Sequence, residues 1–241
     1  YTNVNGDNFV SWNWKANPTP TINTDGDIQS VVSANQAAGF SIIKFTTPST
    51  NNFSVGHGLD AAPDLVIYKC LSQTSNWTVY DSVSGATKYL LLNGAGAQQT
   101  DSLPFNDTEP TSTVLNLGSA TVWWATNADY IAYAFKSISG FSKIGSYTGD
   151  GTTSNTVTTG FQPTFLLIKN TSASDNWVIL DSVRGGTQIL RPNSNAVEGT
   201  EVGENVNFTS TGFQLTGSGA GIGQVNSNGQ GYIYAAFKEN P

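Results

Sequence analysis

The chain has 241 residues, a net charge of −7 and only 11 % charged residues. This acidic balance disfavours nucleic-acid binding, because phosphate contacts require clustered Lys and Arg side chains. The sequence contains no run of about 18 apolar residues, so no membrane-spanning helix is predicted. The single cysteine and the single histidine exclude an internal disulfide and a zinc site, so neither a metal nor a cofactor is predicted.

The first segment with a clear pattern is 9–15, in which apolar and polar side chains alternate as in a half-buried strand. It is similar to two later segments, 130–136 and 232–238, which also end in an aromatic residue followed by Lys. We therefore predict that 1–38 holds the final strand of a preceding repeat plus a linker, within a longer tandem protein.

The predicted linker contains Asp25 and Asp27 in the run Thr-Asp-Gly-Asp, which hints at a calcium loop. The run lacks the following Asp or Asn positions and the Glu of a full loop. An acidic turn is therefore favoured, and calcium binding near these two residues stays an open alternative.

The stretch from Pro63 to Asn93 occurs twice, at an offset of 100 residues without a gap. Of its 31 positions, 12 are identical in the second copy. Internal repetition of this kind defines one structural unit, and it predicts two tandem repeats at 39–139 and 140–241. The matched pairs that mark the repeat are Trp77 with Trp177, Asp81 with Asp181, and Gly85 with Gly185.

Each repeat contains seven short apolar or alternating segments separated by Gly, Pro, Asn and Asp. This pattern, with abundant Asn, Ser, Thr and Gly, predicts an all-β fold, an antiparallel β-sandwich of jelly-roll or immunoglobulin-like size. The predicted strands are 40–47, 53–57, 64–71, 76–81, 87–92, 112–117 and 130–137, then 141–147, 156–159, 164–169, 176–181, 187–191, 206–215 and 231–238.

The repeated tryptophans and glycines are interpreted as structural. Trp77 and Trp177 begin apolar strands, so both are predicted to lie in the core, where truncation to Ala costs about 3–5 kcal/mol. Gly85 and Gly185 follow the same strands and are predicted to adopt a backbone conformation open mainly to glycine.

The repeated charged residues are also interpreted as structural. Asp81 and Asp181 end their strands, where a short carboxylate accepts bonds from turn amides. A role as paired catalytic acids is the less favoured alternative, because the two residues occupy equivalent places in separate repeats. Lys69 and Lys169 lie near strand ends and are predicted to reach solvent.

Binding residues are expected where the repeats diverge, at about 94–129 and 194–230. In the first repeat this region combines aromatic, amide and carboxylate side chains, the mixture that stacks on sugar rings and bonds their hydroxyls. The alternative is that the tryptophans cover a gap between sheets or meet a neighbouring subunit. The candidate ligand-binding residues are Trp123, Trp124, Asn127, Asp101 and Asn106.

Several motifs carry a resemblance to a known family. They are Gly39-Phe40-Ser41, Gly56-His57-Gly58-Leu59, Ala62-Pro63-Asp64-Leu65-Val66-Ile67, Asn76-Trp77 and the closing segment 130–135. With these motifs the chain resembles the uncharacterised repeat domain of marine and cyanobacterial phage tail and virion proteins, often appended to concanavalin-like lectin modules. The resemblance implies a virion or extracellular location and supplies no catalytic residues.

The sequence thus leads us to expect a non-enzymatic structural domain of a phage virion, in a tail fibre or another exposed appendage, that adheres to host-surface glycan. The expected partners are other virion proteins, further copies of the chain in a homo-oligomer (a trimer is favoured), and host polysaccharide. A carbohydrate-binding module of a secreted protein is the first alternative. A glycan-cleaving enzyme is the last, because it needs two carboxylates facing one cleft.

Overall fold

The computed structural model describes residues 5–6, 8–200, 205–217 and 223–239, so part of the divergent region 194–230 lies outside it. Its strands pair antiparallel, which confirms the all-β sandwich prediction. One short helix, α1, spans Gly223–Asn226. The strands are β1 (Thr21–Asn23), β2 (Ser30–Asn35), β3 (Phe40–Thr46), β4 (Phe53–Gly56), β5 (Leu65–Cys70), β6 (Trp77–Asp81), β7 (Lys88–Leu91), β8 (Gln99–Thr100), β9 (Val114–Leu117), β10 (Asp129–Phe135), β11 (Ser142–Thr148), β12 (Asn155–Thr158), β13 (Phe165–Asn170), β14 (Val178–Asp181), β15 (Gly185–Leu190), β16 (Val206–Thr209), β17 (Gly212–Leu215) and β18 (Gly231–Phe237).

The first sandwich is built on an eight-stranded sheet in the order β1-β2-β3-β10-β5-β6-β7-β8. Its inner face packs against the two-stranded sheet β4-β9 and the loops around it. Because side chains alternate across a strand, every second residue points into this core, among them Ile43, Tyr68 and Leu115.

The second sandwich pairs the sheet β11-β18-β13-β14-β15 with the sheet β12-β17-β16. This larger sheet has the same strand order as β3-β10-β5-β6-β7 in the first sandwich. The registers agree as well, since Leu65 faces Phe135 in one sheet and Phe165 faces Phe237 in the other. These similarities support the predicted duplication.

A third apolar cluster lies between the two sandwiches, where the outer faces of the two large sheets meet; we call this contact the seam. It includes Phe40, Val79 and Leu90 from the first sandwich and Phe165 and Trp177 from the second. The strands that form the seam carry apolar side chains on both faces, because one face fills a sandwich core and the other fills the seam.

One strand prediction within the repeats differs from the structure. The segment 206–215, predicted as one strand, is the hairpin β16–β17. The turn falls before Gly212, where a Cβ atom would lie 2.0 Å from the Val157 carbonyl oxygen, so the chain approaches β12 closely at this point.

Among the described residues no helix is long and apolar enough to cross a membrane.

The segment 1–38 also differs from its prediction. Residues 9–15 are extended but form no strand, because their backbone has no ladder partner. Trp12, Trp14 and Ala16 instead pack against the seam. The predicted linker supplies β1 and β2, which extend the large sheet of the first sandwich through the pairing of β2 with β3.

Candidate binding cleft and the repeat-equivalent turns

A cleft of about 700 Å³ opens where the extended segment 9–16 crosses the seam. We call it the aromatic cleft and define it by Trp12, Trp14, Phe165, Arg184 and Phe237. Both sandwiches contribute to its walls, so the cleft exists only because the two sandwiches pack together.

The two cleft tryptophans are half-buried and are fixed by edge-on ring contacts. The Trp12 ring lies 5.3 Å from the Phe165 ring, and Trp14 lies 5.3 Å from both Phe165 and Phe237. Such edge-to-face pairs stabilise a defined ring orientation. The indole groups are therefore held in place and partly open to solvent.

On one side of the cleft the guanidinium group of Arg184 supplies a positive charge. Its Nε donates to Asp181 Oδ2 at 2.6 Å, and its Nη1 donates to Glu198 Oε1 at 2.5 Å. The guanidinium carbon lies 5.5 Å from the Trp12 ring centre, a cation–π distance. Polar side chains at the rim are Asn13, Lys15, Asn35, Lys238 and Glu239.

The ligand-binding residues predicted from the sequence do not line this cleft. Trp12 and Trp14 share one side of an alternating segment, so sequence reasoning could place them on one face. It could not show that they meet Phe165, because about 150 residues separate the two regions in the chain.

The predicted ligand contact through Trp124 is wrong. Trp124 is only 2 % exposed and lies in the core of the first sandwich, with its Nε1 donating to the Pro104 carbonyl oxygen at 2.9 Å. Its ring packs on Tyr68 and Tyr130. Trp123 is half-buried, with its ring 4.6 Å from that of Tyr89.

The other three candidates occupy turn or loop positions with local contacts of their own. Asp101 accepts a bond from the Leu103 amide at 2.9 Å, and Asn106 is an exposed turn residue with φ 54°. Asn127 donates its backbone N–H to the Thr47 carbonyl oxygen at 3.1 Å and also has a positive φ, 51°.

Trp124→Phe is expected to lower the free energy of unfolding by about 1–2 kcal/mol, because the bond to Pro104 is lost and a small cavity forms. Trp123→Phe should cost less than about 0.5 kcal/mol, since this side chain is partly exposed. Urea denaturation followed by circular dichroism measures both values. Equal costs for the two variants would contradict the assigned burial.

The repeat markers have equivalent backbone contacts. The amide of Trp77 donates to Asn93 Oδ1 at 2.9 Å, and the amide of Trp177 donates to Asn193 Oδ1 at 3.0 Å. The repeated Asn thus fixes the start of the returning strand in both copies.

The tryptophan side chains are not equivalent. Trp177 is 1 % exposed in the seam and donates through Nε1 to the Leu91 carbonyl oxygen of the first sandwich at 2.9 Å. Trp77 is half-buried, and Lys69 Nζ lies 5.9 Å from its ring centre. The prediction that Trp77 lies in the core is therefore wrong, because the seam covers Trp177 but leaves Trp77 partly exposed.

The repeated Asp and Gly residues behave as predicted. Asp81 Oδ1 accepts the Ser84 amide at 2.8 Å, and Asp181 Oδ1 accepts the Arg184 amide at 2.9 Å. Burial raises the pKa of the Asp81 carboxyl, against the hydrogen bonds from Ser84. Gly85 and Gly185 have φ values of 79° and 95°, which disfavour any other residue.

Lys169 does not reach solvent, contrary to its prediction. It is fully buried where the second sandwich meets the loop after β7. Its Nζ donates to the carbonyl oxygens of Asn170 and Asp175, both at 2.8 Å, and of Ala95 at 3.2 Å. Burial lowers the pKa of Lys169 to about 8, although the charge of Asp175 acts in the opposite direction.

The single histidine has a structural environment. His57 is fully buried; its Nδ1 accepts the Leu59 amide at 3.1 Å, and its Nε2 lies 3.2 Å from the Thr111 carbonyl oxygen. These partners fit a neutral ring with the proton on Nε2. Burial lowers the pKa of His57, which also favours the neutral ring.

The acidic run at Asp25 and Asp27 forms a turn. Asp27 Oδ2 accepts bonds from the amide and the hydroxyl of Ser54, at 2.9 and 2.7 Å. Asp25 Oδ2 accepts a bond from Asn23 Nδ2 at 2.8 Å. Each carboxylate therefore has its own protein partner, and among the described residues no three His, Cys, Asp or Glu side chains come together.

The fold and the cleft together define a class of protein, a double antiparallel β-sandwich with an aromatic cleft at the seam. Residues 1–241 match a family model described as Domain of unknown function (DUF7483), and the chain belongs to this family. Neither the curated proteins nor the solved structures that were searched gave a match.

Proposed function

We propose that this chain is a non-enzymatic structural module of a phage virion, in a tail fibre or another exposed appendage, and that it binds host-surface polysaccharide. The virion setting rests on the sequence resemblance. The binding role rests on one observation, the aromatic cleft with its two half-buried tryptophans. In such an appendage the chain works beside other virion proteins and as a homo-oligomer.

The cleft has the chemistry that sugar binding needs. Pyranose rings present an apolar face to aromatic side chains, while their hydroxyls need amide, carboxylate and cationic partners. Trp12 and Trp14 supply the aromatic surface, and Asn13, Lys15 and Asn35 supply polar groups at the rim. Because ring contacts hold the indoles in place, little side-chain freedom is lost on binding.

The test is binding of the purified chain to a panel of immobilised bacterial surface polysaccharides. Trp12→Ala combined with Trp14→Ala should reduce binding at least about ten-fold, the effect of losing a central aromatic contact. Trp77→Ala is the matched control, because this tryptophan is also half-buried but lies outside the cleft.

Ala37→Trp provides a second variant that leaves the tryptophans intact. Ala37 is exposed at the cleft wall, so a large side chain there should block the cleft and reduce binding to a similar extent. Circular dichroism checks the fold of each variant. Undiminished binding by both folded variants would exclude the cleft, and release of reducing ends by the wild type would favour the glycan-cleaving alternative.

A further inference from the structure

One buried carboxylate oxygen in the first sandwich lacks a partner. Asp81 is 1 % exposed, and its Oδ1 accepts the Ser84 amide. Its Oδ2 is buried and has no hydrogen-bond partner in the part of the chain that the structure describes. A buried, unpaired carboxylate oxygen is costly, so a group that binds it would stabilise the fold.

The second sandwich shows what such a group does at the equivalent turn. Asp181 Oδ1 accepts the amide of residue 184, as Asp81 Oδ1 accepts the amide of residue 84. Asp181 Oδ2 accepts a bond from Arg184 Nε, and Arg184 Nη1 donates to Glu198. A positive charge therefore lies between two carboxylates at this turn.

The first sandwich retains two carboxylates at its turn but not the arginine. Ser84 stands where the second repeat has Arg184. Glu109 comes from a distant loop, and its Oε1 accepts the Ala86 amide at 2.8 Å while its Oε2 accepts the Tyr80 hydroxyl at 2.5 Å.

The two carboxylates flank one short turn. Asp81 holds the amide of residue 84, Glu109 holds the amide of residue 86, and a Cβ atom on Gly85 would lie 2.9 Å from Glu109 Oε1. Two negative groups close to one turn repel each other, and a positive charge bound between them removes this repulsion without protonation of either group. Glu109 is an exposed residue, so the Glu109 side of the turn faces solvent.

We propose that the turn 81–86 binds a hard divalent cation of the Ca²⁺ class between Asp81 and Glu109, where Arg184 supplies the positive charge in the second sandwich. Ca²⁺ prefers carboxylate oxygens and tolerates irregular geometry, with carbonyl oxygens and water completing its coordination. A site with two protein carboxylates belongs with the weak extracellular sites, with a Kd of roughly 10⁻⁴–10⁻³ M.

Thermal unfolding with and without Ca²⁺ tests this site. At constant ionic strength, the wild-type Tm should rise by about 4 °C or more between EDTA and 10 mM CaCl₂, as expected for a ligand well above its Kd. Isothermal titration with CaCl₂ should show about one site per chain. A wild type with neither a Tm shift nor calorimetric binding overturns the proposal.

Ser84→Arg is the decisive variant, since it copies the second sandwich and should fold. Its Tm in EDTA should exceed that of the wild type, and its response to Ca²⁺ should disappear because the guanidinium occupies the site. Ser84→Ala is the control, and it should keep the Ca²⁺ response. Glu109→Gln should lower the calcium affinity at least about ten-fold. A Ca²⁺ response that survives in Ser84→Arg would exclude this turn.

Discussion

Trp177→Ala is expected to lower the free energy of unfolding by about 3–5 kcal/mol, the cost of truncating a large buried aromatic side chain. The repeat-equivalent Trp77→Ala should cost about 1 kcal/mol or less. Trp177 is buried in the seam and bonded to Leu91, whereas Trp77 is half-buried and has a cation–π contact with Lys69. Such a contact contributes about 0.5–1 kcal/mol at an exposed site.

Urea denaturation followed by circular dichroism at a far-ultraviolet wavelength measures both costs independently of tryptophan fluorescence. Trp177→Phe is a matched control, because it keeps an aromatic ring in the seam but loses the bond to Leu91. It should fall between the wild type and Trp177→Ala. Similar costs for Trp77→Ala and Trp177→Ala would show that the two copies have the same environment, against the structure.

The second large effect is a rise in stability with pH that depends on Lys169. The pKa of this group is about 8 in the folded chain and has its ordinary value of 10.5 when unfolded. Between these pH values the unfolded chain binds more protons than the folded chain, so the free energy of unfolding rises with pH. The difference from 10.5 to about 8 corresponds to about 3 kcal/mol at 1.36 kcal/mol per pH unit.

Lys169→Met isolates this contribution, because it removes the titrating group from the buried place and keeps a side chain of similar length. The free energy of unfolding is measured at several pH values from 7 to 10.5, and the difference between wild type and variant is compared. The free energy of unfolding of the wild type, minus that of the variant, should increase by about 2–3 kcal/mol from pH 7 to pH 10.5. Parallel pH curves for wild type and variant would contradict the lowered pKa of Lys169. Lys69→Met is the control, because it removes the lysine at the equivalent position of the first repeat.

Most of the secondary structure could be predicted from the sequence, because strands show a local alternation of apolar and polar residues. Thirteen of the fourteen strands predicted within the two repeats correspond to single strands of the structure within about two residues at each end, whereas the strand predicted at 9–15 is not formed. The exception, 206–215, contains a hairpin in which Gly212 closely approaches β12. Such a contact between distant segments leaves no periodicity in the sequence.

The residues shared by the two repeats allowed the backbone contacts of the repeated turns to be predicted correctly. The Asp caps at Asp81 and Asp181 and the positive φ angles at Gly85 and Gly185 follow from each copy by itself. These features depend on contacts within a few residues, so identical segments form them in the same way.

The side-chain environments were decided by tertiary structure. The two sandwiches pack through one seam to which they contribute different residues, so equivalent positions have different neighbours. Trp177 and Lys169 are therefore buried while Trp77 and Lys69 remain half-exposed. Neither composition nor spacing distinguishes the members of these pairs.

The binding site was likewise decided by packing. The sequence by itself determined an acidic, all-β chain of antiparallel strands, with aromatic residues alternating in 9–15. Only the tertiary structure brought Trp12 and Trp14 against Phe165 and Arg184, and buried Trp124 in the first core. The physical reason is that local periodicity fixes which side of a segment is apolar, whereas the surface that covers this side comes from residues far away in the chain.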